Sequence, residues 1–258
     1  MSWASKRQFQ YIGGLFVFLA IIATIIAWPY ITKAPTCFDG KLNGGESGTD
    51  CGGACQRICN AEASEPVIIW KRAFPITGSV YNLVALVENR NKEAAIAQVS
   101  YEFRIYDTNN ILIGRREGKT FIPPNQQFAI FESRFDSGAS EIRSVDFDFT
   151  STFVWLKKKP TIQALPIRVD EIILTEDKGI SSLTARINND SIYDLPAFDV
   201  VTILYDVKRN AINASKTHKD GLVSNANSML LFTWPQPFTE DPATKDIFVQ
   251  VDPFSTSF

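Results

Sequence analysis

The stretch Val99-Ser100-Tyr101-Glu102-Phe103-Arg104-Ile105 decides the fold class of this chain. Apolar side chains occupy every second position, and Ser, Glu and Arg fill the positions between them. A period of two places alternate side chains on opposite faces, which is typical of a β-strand with one buried face. Similar runs lie on both sides, separated by turn residues such as Asn89-Arg90-Asn91 and Pro123-Pro124-Asn125. The sequence therefore predicts an all-β structure from about residue 66 onward.

The β-rich region contains an internal repeat. The matched positions are, at a shift of 99 residues, Asn89 with Asn188 and Tyr106-Asp107 with Tyr205-Asp206, and, at a shift of 101, Ala129-Ile130-Phe131 with Leu230-Leu231-Phe232. Each copy has the size of one β-sandwich, which takes about seven strands and roughly 100 residues. The repeat predicts two sandwiches in series, over 66–156 and 166–252. The polar segment between 60 and 65 is expected to be a linker.

Each copy carries a related motif at a strand end. Phe103-Arg104-Ile105-Tyr106-Asp107 and Thr202-Ile203-Leu204-Tyr205-Asp206 resemble the F-x-L-Y-D motif of the FxLYD family. The second copy departs from it by having Thr in place of Phe. The resemblance implies immunoglobulin-like sandwiches in bacterial or archaeal envelope proteins, and it brings no catalytic residue. The predicted structural residues are Phe103, Ile105, Tyr106, Asp107, Leu204, Tyr205 and Asp206. We expect the Asp107 carboxylate to accept hydrogen bonds from turn N–H groups.

An uncharged stretch lies between Arg7 and Lys33. Its apolar part, residues 11–31, has the length of about 20 residues that a bilayer span needs. Basic residues precede it, so the positive-inside rule predicts a cytoplasmic tail of residues 1–10 and an extracytoplasmic bulk. A cleaved signal peptide and a buried core helix are the alternatives. The length and the bulky exit Trp28-Pro29-Tyr30 disfavour cleavage, and the lack of polar interruptions disfavours a core helix.

A Gly-rich segment, residues 36–60, holds all four cysteines: Cys37, Cys51, Cys55 and Cys59. Outside the membrane disulfides are expected, and spacing leaves their pairing open. A zinc site is the rival, but its usual C-x2-C spacing is missing; free thiols are the third possibility. The segment resembles Cys-rich modules of bacterial surface proteins with the form C-x-D-G-x-x-N-G-x-E-x-G-x-D-C-G-G-x-C-x-x-C. Cys59 comes one residue later than in that form, and the resemblance implies no activity.

The same segment offers oxygen ligands for calcium at Asp39, Asn43, Ser47 and Asp50. Their spacing partly matches a calcium-binding loop. However, Lys41 stands at the third position, where such a loop has a ligand, and Asp50 replaces the long bidentate Glu. The favoured interpretation is that Asp39, Asn43 and Ser47, each followed by Gly, form turns. Calcium binding by this loop is the alternative.

Composition limits the function classes. The net charge is −2 with a single His, so a cationic field for nucleic acid and a His-rich metal site are both excluded. His218 lies in a polar run expected to be a solvated loop. The leading hypothesis is a non-catalytic, membrane-anchored envelope protein whose two sandwiches serve protein–protein interaction, adhesion or scaffolding. Its expected partners are the membrane and an envelope protein. The alternatives are a ligand- or metal-binding module using residues 39–50, and an extracytoplasmic hydrolase with paired carboxylates.

Overall fold

The computed structural model describes residues 3–31, 34–158, 166–238 and 240–255. Lys33, which entered the charge argument, lies outside them. The described elements are α1 (Trp3–Ile31), a 3-10 turn (Asn60–Glu62), β1 (Val67–Thr77), β2 (Val80–Asn89), β3 (Ala94–Asp107), β4 (Leu112–Ile122), β5 (Gln126–Asp136), β6 (Ile142–Phe149), β7 (Trp155–Lys157), β8 (Ile167–Asp177), β9 (Ile180–Asn189), β10 (Phe198–Tyr205), β11 (Ala211–Lys219), β12 (Asn227–Trp234) and β13 (Thr244–Gln250). The all-β prediction is confirmed.

The chain divides into two compact units, Met1–Cys55 and Gln56–Phe258. In the first unit, α1 is apolar over Arg7–Pro29, and none of that stretch is buried within the protein. A core helix would be buried, so that alternative is wrong. The helix is long and apolar enough to cross a membrane, and a signal sequence shares both properties.

The strands of the second unit form four antiparallel sheets. Sheet A contains β1-β2-β5 and sheet B contains β4-β3-β6, with β7 also paired to β3. Sheet C contains β8-β9-β12 and sheet D contains β11-β10-β13. The strand order of A recurs in C and that of B recurs in D, so the internal repeat is confirmed at the level of topology. Sheets A and B enclose one core, around Phe103 and Ile130, and sheets C and D enclose another, around Leu183 and Leu204.

A third apolar cluster joins the two sandwiches. It brings Val84 and Phe131 from the outer face of sheet A against Val201 and Ile203 from the outer face of sheet D. The four sheets therefore stack in the order B, A, D, C. The sequence repeat predicted sandwiches in series; the structure packs them face to face, because both facing surfaces are apolar and gain free energy when water is excluded.

Polar contacts fix the position of sheet D on sheet A. The Nε2 group of Gln250 donates a hydrogen bond to the Ala129 carbonyl at 2.6 Å, and an Arg72 guanidinium nitrogen donates to the Ala211 carbonyl at 2.8 Å. The carbonyls involved lie on β5 and β11. Each bond spans from one sandwich to the other, so the two sandwiches share directional contacts as well as apolar ones.

Membership of the two cores corrects the details of the repeat. Ala85 and Ile130, paired across β2 and β5, lie in the first core, and Ala185 and Leu230, paired across β9 and β12, lie in the second. Hydrogen-bonded pairing alone fits shifts of 99 and 101 equally well, but a shift of 100 matches core residues with core residues, so Phe131 corresponds to Leu231 rather than to Phe232. The matches at shifts of 99 for Asn89 and 101 for β5 are therefore wrong by one residue each, because a one-residue slip exchanges the two faces of a strand.

The segment predicted to be a linker packs on the first sandwich instead. Ala63 packs against the first core. The N–H of Ser64 donates to the side-chain oxygen of Asn91 at 2.9 Å. The side chain of Ala63 and the amide of Asn91 supply contacts that a free linker would lack.

Phe74 tests the contact between sheets A and D. The side chain lies on the outer face of sheet A, yet it is only 3% exposed because sheet D covers it. We expect Phe74→Ala in the full chain to lower the free energy of unfolding by about 3–5 kcal/mol, as for a core phenylalanine. Urea denaturation in detergent measures this, with Ile69→Ala, at a 42% exposed position of the same strand, as control at about 0.5 kcal/mol. Equal effects of the two changes would show that the sandwiches do not cover each other.

Candidate interaction surface

The FxLYD-like motif ends in the same turn in both copies. The Asp107 Oδ1 atom accepts hydrogen bonds from the N–H groups of Asn109 at 2.9 Å and Ile111 at 2.8 Å. The Asp206 Oδ1 atom accepts bonds from the N–H groups of Lys208 and Asn210, both at 2.8 Å. The expected role of Asp107 in its turn is confirmed. These carboxylates stabilise the hairpins β3–β4 and β10–β11, so their role is structural.

A buried asparagine closes one end of each sandwich. The Asn89 amide donates to the carbonyls of Ala94 and Pro123, both at 2.8 Å. In the second copy the Asn189 amide donates to the carbonyls of Tyr193 and Leu222, at 2.8 and 3.1 Å. The counterpart of Asn89 is thus Asn189, and the predicted match of Asn89 with Asn188 is wrong. Each amide thus links its own strand end to two other chain segments by hydrogen bonds to their backbone carbonyls.

All four cysteines are oxidised. Cys37 and Cys55 form a disulfide with an S–S distance of 1.98 Å, and Cys51 and Cys59 are disulfide-bonded as well. The disulfide prediction is confirmed, and the zinc and free-thiol alternatives are wrong because the thiolates they require are absent from this segment.

The oxygen ligands proposed for calcium hold the loop together. Asp39 accepts hydrogen bonds from the N–H of Lys41 and the side-chain amide of Asn43, both at 3.0 Å. Asp50 accepts the N–H of Gly40 with both carboxylate oxygens, at 3.0 and 3.1 Å. The hydrogen bond from Asn43 lowers the pKa of the Asp39 carboxyl. These contacts are those of turn-forming residues, whereas Ser47 contributes its backbone N–H to the Cys51 carbonyl. Calcium binding stays a prediction.

The two outermost sheet faces differ in chemistry. The outer face of sheet B is charged: Glu102 lies 3.2 Å from an Arg115 nitrogen and 3.6 Å from an Arg104 nitrogen, and Arg104 also pairs with Asp148. Lys119 lies on the same face, opposite Ser100. The Glu102 side chain is buried, whereas Arg115, Asp148 and Lys119 reach solvent. The partly exposed Arg104–Asp148 pair contributes little to stability.

The outer face of sheet C is apolar at its centre. Leu231 and Ile173 both pair with Thr184, so the three side chains form one row across the sheet. Their exposed fractions are 56% for Leu231 and 54% for Ile173, and Met229 beside them is 49% exposed. A contiguous exposed apolar patch on a soluble domain marks an interaction surface. We therefore take the outer face of sheet C as the candidate interaction surface.

One crevice bears on the hydrolase alternative. A crevice of about 110 Å³ lies between the sandwiches, lined by Pro75, Trp234 and Phe238 among others. Of the described residues, Glu240 is the one carboxylate that lines it. A glycosidase of the usual type needs two carboxyl groups flanking the substrate. The crevice therefore gives no support to the hydrolase alternative.

His218 lies in strand β11, so the loop prediction is wrong. It pairs with Asp199 of β10 in the antiparallel register, and its Nδ1 atom is 2.7 Å from the Asp199 Oδ1 atom. Lys216 lies 3.3 Å from the same carboxylate. Pairing with β10 extends β11 through a segment whose polar composition suggests a loop. An exposed cross-strand pair of this kind contributes to sheet stability.

Comparison with known proteins finds no match to a family model and none to a curated protein. Among solved structures, red sea bream transglutaminase is 11% identical with a TM-score of 0.25, over 73% of this chain and 31% of its own. This chain thus spans about a third of that enzyme's length. A chain from the chaperone–tip adhesin complex of CFA/I fimbriae biogenesis is 11% identical with a TM-score of 0.20, over 70% of this chain and 97% of its own. Neither similarity is close enough to bear on function.

Replacing Asp107 tests the turn. Asp107→Ala removes the acceptor of two N–H groups, and we expect the free energy of unfolding to fall by about 1–2 kcal/mol. Asp107→Asn keeps a side-chain oxygen at the same place and serves as the matched control, with less than half of that loss. Urea denaturation of the full chain measures both. An alanine variant as stable as the native chain would contradict the role of the carboxylate.

Acid titration tests the equivalent turn in the second copy. The hydrogen bond from the Asn210 side chain, with backbone N–H bonds, lowers the pKa of the Asp206 carboxyl. A lowered folded-state pKa contributes stability above the unfolded value of about 3.9, and this is lost as pH falls through the folded value. We expect the difference in urea midpoint between the native chain and Asp206→Ala to narrow as the pH falls below about 3.9. A difference in urea midpoint that stays constant with pH would refute the contribution of the Asp206 carboxylate.

Proposed function

We propose that this chain is a non-catalytic, membrane-anchored surface protein that presents its two stacked sandwiches for binding to another protein. The observation that carries the proposal is the apolar row Leu231–Thr184–Ile173 on the outer face of sheet C. Exposed leucine and isoleucine side chains lose contact with water when a partner covers them, which favours association. The solvated face of sheet B offers no comparable apolar area.

The other parts of the chain support this function. The apolar helix α1 has the length of a membrane span, and the basic residues before it favour a cytoplasmic amino terminus and an extracytoplasmic body. Oxidised cysteines are expected in an extracytoplasmic compartment. The contact between sheets A and D joins the sandwiches, so a partner bound at sheet C meets a preorganised surface and loses less conformational entropy on binding.

The resemblance of the motif residues to the FxLYD family agrees with the proposal. That family places immunoglobulin-like sandwiches in microbial envelopes without catalytic residues. In this chain the motif residues Phe103 and Leu204 are buried in their cores, and Asp107 and Asp206 close their turns. The motif thus builds the scaffold, and the candidate interaction surface lies on sheet C, whose strands carry no motif residue.

Photo-cross-linking in native membranes tests the proposal. The full chain carries benzoylphenylalanine at Leu231, and a matched variant carries it at Lys119 on the outer face of sheet B. We expect irradiation to yield a covalent adduct with a polypeptide from position 231 and little from position 119. If neither position forms a polypeptide adduct, the outer face of sheet C is not a protein-binding surface and the proposal fails.

A further inference from the structure

Sheets A and C occupy the same place in the repeat but have different surroundings. In sheet A the outer-face residues Val84 and Phe131 are buried, because sheet D covers them. Their counterparts in sheet C are Thr184 and Leu231, at a shift of 100 residues. Leu231 is exposed. The repeat thus places an apolar residue at the same outer-face position in both copies and covers it in only one of them within the described residues.

The charged groups around the apolar row indicate what kind of surface covers it. Arg186 of β9 and Glu171 of β8 form an ion pair at 2.7 Å, and Arg168 pairs with Asp170 of the same strand and lies 3.4 Å from Asp190. Acidic and basic groups, three and two in number, are therefore mixed around the row. A partner of strongly positive or negative charge gains no electrostatic advantage here, whereas an identical surface turned by two-fold symmetry can place its acids against these bases.

A second copy could instead dock by its sheet B. Sheet B holds the same place in the first sandwich that sheet D holds in the second. The residues that cover sheet A are Val201 and Ile203 of β10, and their counterparts in β3, at a shift of 99, are Glu102 and Arg104. Covering the Leu231 row with this face would bring the partly exposed Arg104, Asp148 and Arg115 out of water against apolar side chains, which costs free energy. Head-to-tail stacking of copies is thereby disfavoured.

We propose that the outer face of sheet C binds the same face of a second copy of this chain, forming a closed two-fold dimer. This inference rests on the proposed function and specifies its partner. A contact between like faces uses up both apolar rows, so the assembly stops at two copies and does not grow into a filament. The contact between sheets A and D shows, within one chain, that three-stranded faces of this fold pack directly on each other. Anchoring in one membrane raises the effective concentration of copies and favours the dimer further.

The mass of the full chain in detergent tests the dimer. Sedimentation equilibrium of the native chain should give two copies per particle. Leu231→Glu and, independently, Ile173→Glu place a carboxylate in the apolar row and should each raise the dissociation constant of the dimer by about tenfold or more, the equivalent of 1.4 kcal/mol. Lys119→Glu changes charge on the solvated face of sheet B and should leave the dissociation constant unchanged. Near-ultraviolet circular dichroism checks that each variant stays folded, which the exposure of both replaced side chains favours.

The outcomes separate this inference from the proposed function. A dimer weakened by both glutamate variants and not by Lys119→Glu supports the two-fold contact. A monomeric native chain, or a dimer indifferent to both glutamate variants, overturns it. If the chain is monomeric and position 231 cross-links to a different polypeptide in membranes, the proposed function stands and the inferred dimer is wrong. If position 231 cross-links only to lipid, both are wrong.

Discussion

The contact between the outer faces of sheets A and D is the constraint on which the rest of the second unit depends. Without it, each sandwich would expose apolar side chains on a second face, as Phe131 and Ile203 show. Burial of those side chains contributes on the order of 25 cal/mol per Å² of apolar area. The contact makes one body of two sandwiches, and it leaves two outer faces, those of sheets B and C, to meet the surroundings.

Sequence reasoning predicted the elements well and their assembly less well. The alternating run at Val99–Ile105 is a strand of sheet B with one buried face, as its period of two predicts. The runs Leu83–Val87 in β2 and Val200–Tyr205 in β10 are almost continuously apolar and buried. Such runs are typical of strands covered on both faces. These runs therefore indicate stacked sheets. The alternation of apolar and polar residues, on which the strand predictions rested, does not indicate stacking.

Sequence analysis missed the candidate surface because its match between the two copies was wrong by one residue in β12. Matching Phe131 to Phe232 pairs two identical side chains, yet Phe232 lies in the second core and Phe131 in the contact with sheet D. Matching Ile130 with Leu230, each in the core of its sandwich, assigns Leu231 to the place of Phe131 on the outer face. Sequence alone could not decide this, because both assignments keep the period of two and differ only in which face is buried. The turns of Asp107 and Asp206 were predictable, since their hydrogen bonds are local.

The two copies show how one topology takes different positions in a stack. Glu102 and Arg104 in β3 correspond to Val201 and Ile203 in β10, while the motif residues that alternate with them remain in the cores. Changing only the outward positions converts a solvated face into one that buries against a neighbouring sheet. The charges of sheet B therefore end the stack on one side. Sheet C ends it on the other side with leucine, isoleucine and methionine exposed, so that a covering surface would remove their apolar area from water.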